Sequence, residues 1–119
     1  MTLIDYRAWN PNTHIMHYNV CIINGLPIIR ECVSIHQLTV AQAGIPLVGT
    51  GAQDKYGRQV YEGDVLSLSY RGFVFEIASV TFDRGAFWIY YHSTDDKELL
   101  YDALDGVELT IIGNIYEGY

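Results

Sequence analysis

Short runs in which apolar and polar residues alternate, each ended by a turn signal, run along most of this chain, and that two-residue period is the mark of half-buried strands. Leu3 to Trp9 alternates Ile4, Tyr6 and Ala8 against Leu3, Asp5, Arg7 and Trp9. Asn10-Pro11-Asn12-Thr13 then turns the chain into a second strand around Ile15 to Ile23. Asn24-Gly25 favours a tight reversal into Leu26 to Val33, in which residue 23 faces 26 and residue 21 faces 28. Pro27 donates no ladder hydrogen bond, so this third strand is expected at a sheet edge.

Residues 34–48 carry the least legible pattern: Ser34 is a cap candidate for a short helix through Gln37 to Ala43, stopped by Gly44 and Pro46. From Gly49 the signals sharpen. Asp54-Lys55-Tyr56-Gly57 has the Asp and Gly of a type I turn, and a strand pair should flank it. Val65 to Tyr70 and Phe73 to Phe82 flank Arg71-Gly72, and a simple register would put Leu66, Leu68 and Tyr70 with Phe73, Phe75 and Ile77 on one buried face. Asp83-Arg84-Gly85 turns into Ala86 to Tyr91, where five large residues in a row suit a strand covered on both faces or lying at a subunit contact. Ser93-Thr94-Asp95-Asp96 reads as a helix start, with Leu99, Leu100, Ala103 and Leu104 as the apolar stripe and Gly106 as the stop. Val107 to Tyr116 closes as a strand with a bulge or kink at Gly113-Asn114.

These elements imply a mainly β fold, a compact SH3-like barrel or sandwich of short antiparallel strands with one or two short helices. With 119 residues, half of them apolar, and no repeat or linker, one domain over 1–119 is expected. Ten Tyr, four Phe and two Trp fit the strand-rich reading.

The net charge of −7 matters chiefly for what it excludes. Arg7, Arg30, Lys55, Arg58, Arg71, Arg84 and Lys97 are scattered, so no concentrated positive face exists for a phosphate backbone and direct nucleic-acid binding is not expected. The carboxylates form no runs, which argues against a DNA mimic. The register about Asn24-Gly25 offsets Cys21 from Cys32, so two reduced thiols in a cytoplasmic protein are expected rather than a disulfide. The opening Met1-Thr2-Leu3-Ile4-Asp5-Tyr6-Arg7 has charge where a secretory signal would be apolar, and no stretch has transmembrane length.

Four stretches together resemble the YopX family, found mainly in phages, prophages and mobile elements of bacteria. They are Tyr6-Arg7-Ala8-Trp9-Asn10 with Met16; Thr50-Gly51 through Asp54-Lys55-Tyr56-Gly57 to Tyr61-Glu62-Gly63-Asp64; Val80-Thr81-Phe82-Asp83 with Gly85-Ala86-Phe87; and Ile111-Ile112-Gly113-Asn114-Ile115-Tyr116-Glu117. The chain departs from the family pattern at Asn10, where Asp is usual, and at Ala52-Gln53, where Leu-Lys is common. The resemblance implies a β-rich, self-associating protein of a mobile element, acting in the cytoplasm of a bacterial host cell, and it hands over no reaction and no cofactor. Most of the motif residues also have a purely structural reading, as turn glycines and as Asp side chains that accept local backbone N–H groups.

Candidate chemistry is sparse. His14 and His17 would point to opposite faces of a strand, so no metal site is assigned. Cys21 or Cys32 can be paired with a histidine on paper, but no local signature supports a nucleophile. Glu62 and Asp64 share a strand face unless a bulge intervenes. No catalytic residue is assigned, and the balance leans away from an enzyme. A binding role has more to draw on: Trp9, Trp88, Tyr90 or Tyr91 as stacking surfaces and Arg7 or Arg84 as anion partners suit a nucleotide-type ligand held by a homo-oligomer, such as a signal of host immunity. The alternative is a module that binds and occludes a host or phage protein, with the aromatics serving only core and interface.

Overall fold

In the computed structural model, residues 5–23, 26–29 and 44–119 are described. They form a mainly β protein of antiparallel strands with one short helix among the described residues. The helix considered for Gln37–Ala43, Cys32, His36 and the Asn24-Gly25 dipeptide itself lie outside the described residues. No helix among them is long and apolar enough to cross a membrane.

The chain forms two compact units, residues 1–49 and 50–119. In the first, β1 (Tyr6–Asn10) pairs with β2 (Ile15–Ile23) on one side and with the start of β4 (Ile45–Gln53) on the other. The turn after β1 is held by Asn10, whose Oδ1 accepts the N–H groups of Asn12 and Thr13 at 2.9 and 3.2 Å. β2 pairs with β3 (Leu26–Ile29) in the register expected of a two-residue turn, Cys21 opposite Ile28 and Ile23 opposite Leu26. Among the described strands β3 lies at a sheet edge, where Pro27 has no ladder bond to lose. Arg7, Ala8 and Trp9 are all buried, so β1 is covered on both faces.

The second unit starts within β4, and its large sheet has the order β10-β6-β7-β8-β9. Its members are β6 (Asp64–Tyr70), β7 (Phe73–Asp83), β8 (Ala86–Tyr91), β9 (Lys97–Leu99) and β10 (Glu108–Asn114), with β5 (Gln59–Tyr61) before them and α1 (Leu100–Ala103) between β9 and β10. The core gathers Val60, Leu66, Leu68, Ala78, Val80, Ile89, Leu100 and Leu109, with Phe87, Tyr91, Leu104 and Val107 packed against it.

β10 is an edge strand, and unpaired edge groups invite association with other chains. Here the Asp54–Arg58 turn covers part of it. Asp54 Oδ1 accepts the N–H groups of Tyr56 and Arg58, both at 2.9 Å, and Asp54 Oδ2 accepts Arg58 Nε at 2.8 Å. From this turn Lys55 N–H donates to the Leu109 carbonyl, Arg58 Nη2 donates to the Ile111 carbonyl, and Ile111 N–H donates to Asp54 Oδ2.

Three expectations are corrected. The first concerns β6 and β7: Leu68 faces Glu76 while Ser69 faces Val74, so Phe75 is an extra residue in β7. That bulge moves the β7 register by one, and a one-residue slip exchanges faces. Ala78 and Val80, rather than Phe75 and Ile77, therefore join Leu66 and Leu68 in the core, while Tyr70, Phe73 and Phe75 are exposed. The second concerns Ser93–Asp96, which caps no helix. Thr94 Oγ1 accepts Asp96 N–H, Tyr91 N–H donates to the Asp96 carbonyl, and Lys97–Leu99 then pairs with β8 before a helix of only four residues. Satisfying the open side of β8 outweighs the local helix preference. The third concerns Glu62 and Asp64, which share no strand face. Glu62-Gly63 is the turn between β5 and β6, and buried Asp64 accepts the Tyr61 N–H at 2.8 Å.

Candidate functional site

The six residues favoured for ligand binding separate into three settings. Arg7 and Trp9 belong to the first unit and are 2% and 7% exposed. The Arg7 guanidinium carbon lies 5.9 Å from the Tyr18 ring centroid, and the Trp9 ring lies 5.8 Å from that of His14. Both side chains thus face intramolecular aromatic neighbours.

Tyr91 takes the inner face of β8. Alternation along this strand sends Phe87, Ile89 and Tyr91 to the core and Trp88 and Tyr90 to the other face. The Tyr91 hydroxyl donates to Glu98 Oε2 at 2.6 Å. Burial, then the bond to Glu98 and its charge, push the Tyr91 hydroxyl up to about 12, so it remains a proton donor at neutral pH.

Trp88 and Tyr90 share the outer face of β8, and Arg84 lies in the turn that leads into that strand. Asp83 pairs with Ala86 across a two-residue turn in which Arg84 and Gly85 have φ of 51° and 78°, the left-handed pair that matches the twist of the flanking strands. This turn holds Arg84 out in solvent. Trp88 reaches back to the same turn, its Nε1–H donating to the Asp83 carbonyl at 3.3 Å. On the other side β9 places Lys97 opposite Tyr90, and the Lys97 ammonium stands 4.7 Å from the Trp88 ring centroid. A half-buried indole thereby has one lysine over its ring and a bond to the turn that carries Arg84, with a tyrosine two residues along. Such a set can stack on a planar ring while its cations meet an anion.

Lys97 was not legible as part of this set, because the sequence around it reads as the first turn of a helix. Ser79 and His92 form a second cluster that alternation alone does not disclose: Ser79 Oγ lies 2.6 Å from His92 Nε2. Glu76 is beside them, with its oxygens engaged by the Ser93 hydroxyl and the Ile77 N–H, and those bonds, the Ser93 one foremost, hold its carboxyl below the usual range. Among the described residues no group of three or more His, Cys, Asp or Glu side chains is placed to hold a metal ion.

A family model described as YopX protein matches residues 5–118. The chain belongs to the YopX family. Two solved structures share its fold: protein EF1440 from Enterococcus faecalis, at 20% identity with a TM-score of 0.64 over 98% of this chain and 96% of that one, and YopX from Bacillus subtilis, at 16% identity with a TM-score of 0.64 over 95% and 93%. No curated protein matches the chain in sequence. The YopX motifs themselves map onto turns and braces: Asp54 and Arg58 at the β10 edge, Asp64 at the β5–β6 turn, and Asn114, whose Oδ1 accepts the N–H groups of Tyr116 and Glu117.

Proposed function

We propose that this YopX-family protein is a non-enzymatic accessory protein of a phage or prophage that binds, and so sequesters, a small nucleotide-type ligand in the cytoplasm of its bacterial host, such as a signal of host immunity. The observation that carries this reading is the Trp88 indole with Lys97 at 4.7 Å and the exposed Arg84 on the turn to which that indole is bonded. A base would stack on the free part of the indole. Lys97 and Arg84 would receive the phosphate oxygens, the arginine through paired N–H donors. These cations matter more in a chain of net charge −7, because the rest of the surface repels an anion and only a local pair of positive groups can hold one. No bond is made or broken, so the protein acts stoichiometrically.

Native mass spectrometry of the purified protein and thermal melts against a panel of mono-, di- and cyclic nucleotides test this directly. A retained nucleotide-sized adduct is expected. Ligand at about a hundred times its dissociation constant should stabilise the protein by about 2.7 kcal/mol, a rise of several degrees in Tm. Trp88→Ala should weaken binding by about 1–3 kcal/mol, the worth of one stacked base, with the melt of the free protein retained. A bare protein that no nucleotide stabilises would remove the reading.

A further inference from the structure

The β6–β7 hairpin outruns its neighbours. The β10 ladder along β6 starts at Glu108 opposite Ser69, and the β8 ladder along β7 starts at Tyr91 opposite Ala78, with one more bond from His92 N–H to the Ile77 carbonyl. β6 keeps β10 as far as Ser69, so Val74–Glu76 of β7 are flanked on one side only, and the two-stranded ribbon that passes both neighbours is the Tyr70–Phe73 tip closed by Arg71-Gly72. The tip and the free β7 edge behind it are apolar: Tyr70 is 51% exposed, Phe73 79%, Val74 61% and Phe75 54%. A contiguous exposed patch of this kind marks a contact surface.

Two further features indicate what covers it. Arg71 is the ribbon's cation, 5.3 Å from the Tyr70 ring, and no carboxylate lies between Val65 and Phe75, although the whole chain carries −7. At the root of the ribbon lies a cleft of about 330 Å³, with Leu104, Val107 and Leu109 as its apolar lining and Gln53, Asp54, Lys55 and Glu108 as its polar residues; Asp54 is taken up by its own turn and Arg58. Glu108 is the residue opposite Ser69, so ribbon and cleft adjoin on the same end of the sheet.

We propose that this hairpin is an exchange arm: Phe73 and Phe75 of one copy enter the cleft of a second copy, Arg71 meets Glu108 there, and a two-fold axis repeats the contact in reverse. Because the cleft sits at the arm's own root, one rotation satisfies both sites, as an isologous interface requires. The area suffices. An aromatic side chain buries roughly 150–250 Å² when fully covered, so two arms with three largely uncovered aromatics each, and the two clefts that receive them, reach the roughly 1,000 Å² of a specific interface. This contact is independent of the ligand reading, since none of its residues is Arg84, Trp88, Tyr90 or Lys97.

Sedimentation equilibrium of the full chain tests the arm without any ligand. The wild type is expected at twice the chain mass. Phe73→Asp should convert it to a monomer with an unchanged far-ultraviolet spectrum. Arg71→Glu and Glu108→Arg should each weaken the dimer by about tenfold or more, and the double variant should restore it, because only a direct contact between opposite charges survives the swap. A wild-type monomer, or a dimer that Phe73→Asp leaves intact, would overturn the proposal and assign the arm to a different protein. An assembly larger than a dimer that the arm variants dissolve would overturn the two-fold exchange.

Discussion

The Asp54–Gly57 turn and the Arg71-Gly72 turn both close antiparallel hairpins of the second unit, and each has a glycine at positive φ, 81° at Gly57 and 84° at Gly72. They differ in where their side chains go. The first sends a carboxylate inward: Asp54 is 6% exposed and meets three backbone N–H groups and Arg58, whose Nη2 is 2.7 Å from Oδ2. The second sends aromatic residues outward, where Tyr70, Phe73 and Phe75 stay exposed among the described residues. A motif-rich stretch can thus be spent wholly on architecture, while the surface free to meet something else lies in residues that belong to no motif.

Removing the inward carboxylate should have the largest effect. Asp54→Ala leaves the N–H groups of Tyr56, Arg58 and Ile111 without that acceptor and frees the β10 edge, a loss of about 2–4 kcal/mol by urea denaturation at neutral pH. A loss below about 1 kcal/mol would mean that water replaces the brace and that the contrast between the two turns is only geometric.

Backbone strain should instead treat the two turns alike. A Cβ at Gly57 or at Gly72 meets nothing within 4 Å, so Gly57→Ala and Gly72→Ala test the positive φ alone. Each should cost about 1–2 kcal/mol, and the two values should agree within error. A much larger cost at Gly57 would show that the turn's hydrogen bonds depend on its dihedral.

Acid should separate the turns again. Burial alone would raise the Asp54 carboxyl, but the Arg58 side chain and the backbone N–H groups of Arg58, Ile111 and Tyr56 outweigh it and hold it at about 2, against an ordinary 3.8. The folded value is below the unfolded one, so this contribution is complete above about pH 4 and is lost as pH falls through about 2. Asp54→Asn should flatten the stability profile between about pH 4 and pH 2 relative to wild type. Parallel profiles would mean that other carboxylates dominate the acid limb.

Much of this contrast was legible beforehand. Asn24-Gly25 implied Cys21 opposite Ile28, and that pairing is present; Asp83-Arg84-Gly85 implied the β7–β8 turn, and Gly113 the irregularity in β10 between Ile111 and Gly113. These are local decisions made by turn dihedrals. The bulge at Phe75 is not local: it follows from Ala78 and Val80 fitting the core opposite Leu66 and Leu68, which no turn signal announces. The strand at Lys97–Leu99 was hidden because its helix-start residues are real preferences, overridden by the open side of β8. The candidate site inherits both outcomes. Arg84, Trp88 and Tyr90 could be named from residue type, whereas Lys97 required β9 to exist, and that Tyr91 packs inward was concealed because five large residues in a row hide which alternate members face the core.

The smallest effect should come from the outward turn. Phe73 is 79% exposed, so in a monomeric chain its ring contributes little to folding, and Phe73→Ser should shift stability by no more than about 0.5 kcal/mol. Urea denaturation of the dilute protein, below the concentration at which copies associate, isolates that quantity. Repeated at high concentration, wild type should gain stability that Phe73→Ser does not, since association stabilises the folded state by mass action. A large loss in the dilute protein would instead show that the ring supports the ribbon itself, and the two turns would then differ in side-chain polarity but not in structural role.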